Sequence, residues 1–159
     1  MKKVGLGGSC HWCTEAIFSA LKGVSKVEQG WISSFGENST FSEGILVYYD
    51  PKVIPYSTVL EIHLQTHKCT SNHSMRAKYR SAVYLFEEEE YGLTQNIIEG
   101  LQPLFKAPII TKTLLFKAFK LNEETYLNYY NKNPNKPFCE TYIKPKLQKL
   151  LKEYTTYVK

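Results

Sequence analysis

The chain has 159 residues, 43% of them hydrophobic and 22% charged, with a formal net charge of +5. That is enough apolar material for one domain with a true core, and the positive excess is modest and partly gathered between Lys144 and Lys159, which argues against a disordered chain or a dedicated nucleic-acid binder. No stretch has the length and apolarity of a membrane span, and Met1-Lys2-Lys3 leads into a segment broken by Gly5, Gly7 and Gly8, unlike a signal peptide. Cys10, Cys13, Cys69 and Cys139 are therefore expected in a reducing cytoplasm, as reactive or metal-binding groups rather than staples.

Residues 2–7 read as a short apolar strand. The Gly-rich turn after it delivers Cys10 to a helix over residues 12–22, with Ala16, Ile17, Ala20 and Leu21 on one face and Gly23 as its stop. Residues 24–32 form a strand, 33–42 a polar connection, and 44–49 a buried strand closed by Asp50-Pro51. Pro55 opens a helix over 56–67; a loop (68–78) and a strand (80–86) follow. Four leading glutamates suit the positive end of a helix over 87–101. A strand (108–116), a short helix (123–131), a turn at Pro134-Asn135-Lys136-Pro137 and a last helix (144–157) complete the chain. The order β-α-β-β-α-β-α-β predicts an α+β two-layer sandwich with a mixed sheet and an irregular C-terminal tail, in a single domain over residues 1–159.

Backbone N–H groups at a helix start lack intrahelical partners and carry partial positive charge. A thiolate on Cys10 is stabilised there, and its pKa is expected to fall. Cys13 lies three residues on, facing the same side. Such a C-x-x-C pair suits redox chemistry, or half of a zinc site completed by His63 and His67, although the two halves are much further apart than in a compact zinc finger. Trp12 is either a core ring or an apolar wall with a ring–sulfur contact to offer. Glu43, amid Phe41, Ile45 and Tyr48, is a candidate proton donor because rings disfavour the carboxylate; it equally fits a solvated glutamate at a loop edge. Tyr79 ends a polar loop, its hydroxyl directed to a pocket or to the surface. Cys139 is a thiol on a Pro-rich tail, and Cys69 reads as a bystander.

Four segments in order, GGSCHWCTEAIF (7–18), SEGILVYYDP (42–51), KYRSAVY (78–84) and YYNKNPNKPFCETYIKPKL (129–147), resemble the motifs of the peptide methionine sulfoxide reductase A family. The family patterns are G-G-C-F-W-C/G-x-E, a strand opening with a functional Glu and ending in an acid-proline turn, Q-Y-R-S-A-I-Y, and a tail N-P-x-x-x-Y-C. The resemblance implies a sandwich related to the ferredoxin-like class. It makes Cys10 the nucleophile, Glu43 the acid, Tyr79 a hydrogen-bond partner of the sulfoxide oxygen, Trp12 the methyl-binding ring and Cys139 a recycling cysteine. Cys13 falls where members carry Cys or Gly. Three departures bear on substrate binding: His11 stands for Phe, Ser74 for an Asp five residues before the pocket Tyr, and the loop 33–42 is too short for a second oxygen-binding Tyr. His11 could bond a water or the substrate oxygen, or simply fill the ring's space.

The implied reaction is reduction of methionine S-sulfoxide, free or in proteins. Cys10 attacks sulfur, is left as a sulfenic acid, and condenses with Cys139 or Cys13 to a disulfide that a thioredoxin-type dithiol reduces. No metal or prosthetic cofactor is expected, no nucleic-acid or membrane partner, and a monomer suffices. Two other readings stay open: a general C-x-x-C thiol–disulfide oxidoreductase, which would not need Glu43, Tyr79 and the tail, and a zinc-binding, non-enzymatic module.

Overall fold

The computed structural model describes residues 1–133 and 135–159; Pro134 of the predicted turn lies outside the described residues. Strands β1 (Lys2–Gly7), β2 (Val24–Ser33), β3 (Ser42–Tyr49), β4 (Ala82–Leu85), β5 (Lys112–Leu115) and β6 (Ala118–Leu121) make one sheet in the order β5-β4-β1-β3-β2-β6. β4 and β5 run parallel and the other neighbours antiparallel, so the sheet is mixed as expected.

Helices α1 (His11–Ser19), α2 (Tyr56–Gln65), α3 (Tyr91–Leu101) and α5 (Lys144–Glu153) supply the second layer, and α4 (Tyr129–Lys132) is a single turn. Alternation along the strands sorts the side chains. Val4, Leu6, Ile45, Val47, Val83 and Leu85 meet Ile17, Phe18, Leu60, Ile62, Ile98 and Leu150 in the main core. Ile32, Leu46 and Tyr84 face the opposite side with Tyr48, Phe86, Phe116 and Phe119. Truncating the fully buried Phe18 to alanine costs about 3–5 kcal/mol in such a setting.

Several boundaries differ from expectation, each for a local reason. α1 ends at Ser19, because Leu21 turns away to bridge Val158; Gly23, at φ +87, makes the turn into β2 instead of stopping the helix. The glutamates form a separate 3-10 turn (Glu88–Glu90) ahead of α3. The predicted strand over 108–116 shortens to β5, and the unforeseen β6 pairs with the far edge of β2. The predicted helix over 123–131 is broken by Asn128, a left-handed residue at φ 55. α5 continues from a π-helical turn (Cys139–Ile143) and stops at Glu153.

The register positions the site. β1 is flanked by β3 and β4, with Leu6 opposite Ile45 and Gly7 opposite Ala82. The chain leaving β1 for Cys10 therefore passes between Glu43, at the start of β3, and the approach to β4 that carries Tyr79.

Candidate active site

Cys10 is the N-cap of α1, with extended backbone (φ −52, ψ 131), and its carbonyl accepts the N–H groups of Cys13 (3.0 Å) and Thr14 (3.2 Å). The turn before it is built on Gly8, at φ +153, where a Cβ would collide with the His67 imidazole. Arg76 fastens this turn to the loop beyond α2: Nη1 donates to the carbonyls of Gly8 (2.8 Å) and Tyr79 (2.8 Å), and Nε to that of Ser71 (2.9 Å). The half-exposed Cys10 opens onto a cavity of about 990 Å3 whose apolar wall is Met75, Tyr79, Phe138 and Tyr142.

Cys13 follows Cys10 by one helical turn and lines the same cavity, and the neighbouring thiol changes the expected electrostatics. The bond to Cys13, reinforced by burial, raises Cys10, while the bond from Cys10 lowers Cys13, assisted by the charge of Lys146. Helix-start donation alone led to a lowered Cys10. Neighbouring thiols titrate together: the first thiolate is favoured by the S–H beside it, and a second charge next to it is opposed. The Trp12 backbone N–H still favours charge on Cys10.

Glu43 is buried, pairs with Trp31 across β2 and β3, and sends its carboxyl toward the start of α1. Its Oε1 accepts the His11 backbone N–H (3.1 Å), and its Oε2 lies 3.5 Å from the Lys78 ammonium. The expected ring-lined setting is thus partly replaced. Tyr48 faces the other side of the sheet, and a helix-start N–H, a cation and an imidazole surround the carboxyl. His11 is also buried. Its Nδ1 donates to the Gly30 carbonyl (2.8 Å), which leaves Nε2 to accept from Asn122 Nδ2 (3.4 Å) and to face Glu43 Oε1 at 3.5 Å. His11 therefore reaches the acid and does not line the cavity. Tyr79 does line it, and burial with the Glu43 charge raises its hydroxyl pKa, so it remains a proton-bearing donor. Cys10 and Tyr79 thus line one cavity, and the Glu43 carboxyl is held at the backbone N–H of His11, the residue next to Cys10.

Trp12 is half-buried and stacked on Tyr129 (4.2 Å between centroids, 15°), with Phe138 edge-on at 5.1 Å. Phe138 carries the ring wall from Trp12 into the cavity. A buried polar chain seats this tail on α1. Gln29 Nε2 donates to Glu15 Oε1 (2.9 Å) and to the Tyr126 carbonyl (2.9 Å), and Asn122 Nδ2 donates to Gln29 Oε1 (2.6 Å). Glu15 also accepts the backbone N–H groups of Asn128 (2.9 Å) and Tyr129 (3.3 Å). Cys139, wholly buried, packs with Cys13, Ala16, Tyr129 and Ile143. Ser74 opens an exposed 3-10 turn (Ser74–Ala77), and its neighbours His73 and Met75, not Ser74, line the cavity. Cys69 is buried, its thiol pushed up to about 11 by burial.

His67 Nδ1 is bonded to the His63 carbonyl and its Nε2 to Ser81 Oγ (2.8 Å). Among the described residues no group of three or more His, Cys, Asp or Glu side chains is placed to hold a metal ion, and no helix is long and apolar enough to cross a membrane. Phe138, Met75, Glu15, Gln29 and Asn122 are site or support residues that sequence reasoning passed over; only Glu15 and Phe138 stand within motif segments that could have drawn notice.

Residues 2–158 match the family model for peptide methionine sulfoxide reductase. The chain is 34% identical to peptide methionine sulfoxide reductase MsrA of Trichodesmium erythraeum, over 96% of each chain. Its fold matches the reduced form of Mxr1 from Saccharomyces cerevisiae with a TM-score of 0.76 at 23% identity, over 89% of this chain and 90% of that one. It also matches Mxr1 from the same yeast in complex with Trx2, with a TM-score of 0.62 at 24% identity, over 80% of this chain and 84% of that one.

Proposed function

Since the chain belongs to the peptide methionine sulfoxide reductase family, we propose that it reduces methionine S-sulfoxide, free or in proteins, to methionine with Cys10 as nucleophile. The observation that carries the residue assignment is a partly exposed thiol at a helix start that shares a ring-walled cavity with Tyr79, with the buried Glu43 carboxyl bonded to the next residue's N–H.

Cys10 Sγ attacks the sulfoxide sulfur while its proton passes to the Cys13 thiolate. The Tyr79 hydroxyl, which keeps its proton, donates to the sulfoxide oxygen, and Glu43, which must enter this step protonated, hands its proton to that oxygen as it gains charge while the S–S bond forms. The hydroxyl oxygen then passes from the methionine sulfur to Cys10 as the S–S bond breaks, which releases methionine and leaves Cys10 as a sulfenic acid. Phe138 and Met75, backed by Trp12, shield the methyl group; His11 orients Glu43 rather than touching substrate. Cys13 is the first thiol to condense with the sulfenic acid, since it lies one helical turn on and lines the same cavity: an S–S bond forms and water leaves. Cys139 packs against Cys13 and takes the disulfide in a second exchange that frees Cys10. An external dithiol of the thioredoxin type, oxidised to its own disulfide, restores the thiols; the complex of Mxr1 with Trx2 supports that choice of donor. The cycle needs no prosthetic group. One domain over residues 1–159 carries it, in the reducing cytoplasm where its thiols stay available.

Reduction of the two sulfoxide epimers of a blocked methionine with a dithiol donor tests this reading. Wild type is expected to consume the S form and Cys10→Ser neither; turnover by Cys10→Ser would remove Cys10 from the chemistry.

A further inference from the structure

The cavity at Cys10 is larger than one methionine side chain needs. At about 990 Å3 it reaches the top of the ~300–1,000 Å3 range of pockets that enclose whole drug-sized ligands, so several peptide residues can enter with the sulfoxide. Its charge is one-sided. Lys68, Lys146 and Lys149 line it, and none of its lining residues is acidic; the Glu43 carboxyl is held at the His11 backbone N–H, one residue past Cys10. None of the three lysines is in an ion pair among the described residues. Lys149 Nζ donates only to the Gln65 carbonyl (2.9 Å), at the end of α2. Behind the wall, the four hydrogen-bond partners of Arg76 are all neutral carbonyls, those of Gly8, Lys68, Ser71 and Tyr79, so its charge is not cancelled locally. This field reaches the reacting sulfurs, since the charge of Lys146 favours the Cys13 thiolate. A concave site with charge of one sign focuses the potential on whatever enters.

We propose that this cleft selects methionine sulfoxide carried in acidic peptide segments, with carboxylates flanking the oxidised residue seated against Lys68, Lys146 and Lys149. The proposal rests on the reductase reading and adds the substrate class to it. Exposed pairs of this kind are individually weak and salt-screened, so the effect is a graded preference rather than an absolute one.

The test compares three blocked peptides of equal length, with methionine sulfoxide flanked by glutamate, glutamine or lysine, in single turnovers at low ionic strength. The expected order of kcat/KM is glutamate, glutamine, lysine, with about a tenfold span between the extremes. The span should shrink in ~0.5 M salt, and the Lys68→Glu/Lys149→Glu double variant should narrow or invert it. Equal rates on all three peptides would overturn the proposal while leaving the reductase reading intact; reduction of none would overturn the reductase reading itself. A charge effect seen only in steady-state recycling with thioredoxin, and absent from single turnovers, would assign the cleft to the reductant and also overturn the proposal.

Discussion

Glu15 offers a direct link between fold and catalysis. The buried carboxylate takes hydrogen bonds from Gln29 Nε2 and from the backbone N–H groups of Asn128 and Tyr129. Those donors hold the segment that places Tyr129 on Trp12 and Cys139 beside Cys13. Glu15→Ala strands two backbone donors and one amide donor in a site with little water. At about 1–3 kcal/mol for each unsatisfied group, less partial relaxation, the loss is roughly 3–5 kcal/mol. Glu15→Gln keeps the volume and one acceptor but turns an NH2 toward donors, a loss of about 1.5–3 kcal/mol. Because Glu15 lies outside the main core, the damage concentrates in the tail. Urea unfolding should report the stability loss, and limited proteolysis should show earlier cleavage between residues 122 and 143. Recycling of Cys10 should slow more than its first turnover. A Glu15→Gln protein with the wild-type urea midpoint and wild-type protease resistance would refute the reasoning.

Glu43→Gln removes the proposed proton donor and should slow the single-turnover rate by ~10²–10⁴-fold with the fold intact; a rate within twofold of wild type, about the scatter of such an assay, would reassign the donor. The hydrogen bond from Cys10 places the Cys13 thiol below its ordinary 9.0, so wild-type single turnover should rise with pH and level off below that value. In Cys13→Ala the limb should move up toward the ordinary thiol value, and an unmoved limb would show that Cys10 ionises alone. Burial lowers His63 from 6.5 to about 4. The unfolded chain takes up this proton as pH falls below 6.5 and the folded protein does not, so the stabilisation is intact above pH 6.5 and declines toward pH 4, by roughly 3 kcal/mol in all. Unfolding free energies measured across this window should fall in wild type and flatten in His63→Leu; parallel curves would contradict the assignment.

The parts of the molecule legible in the sequence are those governed by local rules. A short apolar run marks β1, a continuous apolar run closed by Asp50-Pro51 marks β3, and the glycine turn before Cys10 announces a helix start whatever surrounds it. Glu43 and Tyr79 were legible as candidates, but their convergence depends on the strand register around β1, which no local pattern encodes. The Glu15–Gln29–Asn128 cluster was hidden for the same reason: its members lie 14 and 113 residues apart in sequence, and polar residues at such separations have no periodicity to betray them. β6 escaped because a four-residue edge strand, half-buried at Ala118 and Phe119 and exposed at Lys120 and Leu121, carries no alternation. The lowered Cys13 escaped because a helix start acts on each thiol singly, whereas each of these two thiols shifts the other.

The central claim is that Cys10 takes the oxygen from methionine sulfoxide and passes the resulting oxidation to Cys13. Reacting the protein with a sulfoxide peptide in the absence of reductant, blocking the remaining thiols and mapping the disulfides by peptide mass tests it most directly. Stoichiometric methionine is expected, together with a Cys10–Cys13 disulfide or its exchange product Cys13–Cys139, and neither in Cys10→Ser. Methionine formation by Cys10→Ser, or a wild-type product with both Cys10 and Cys13 still reduced, would contradict it.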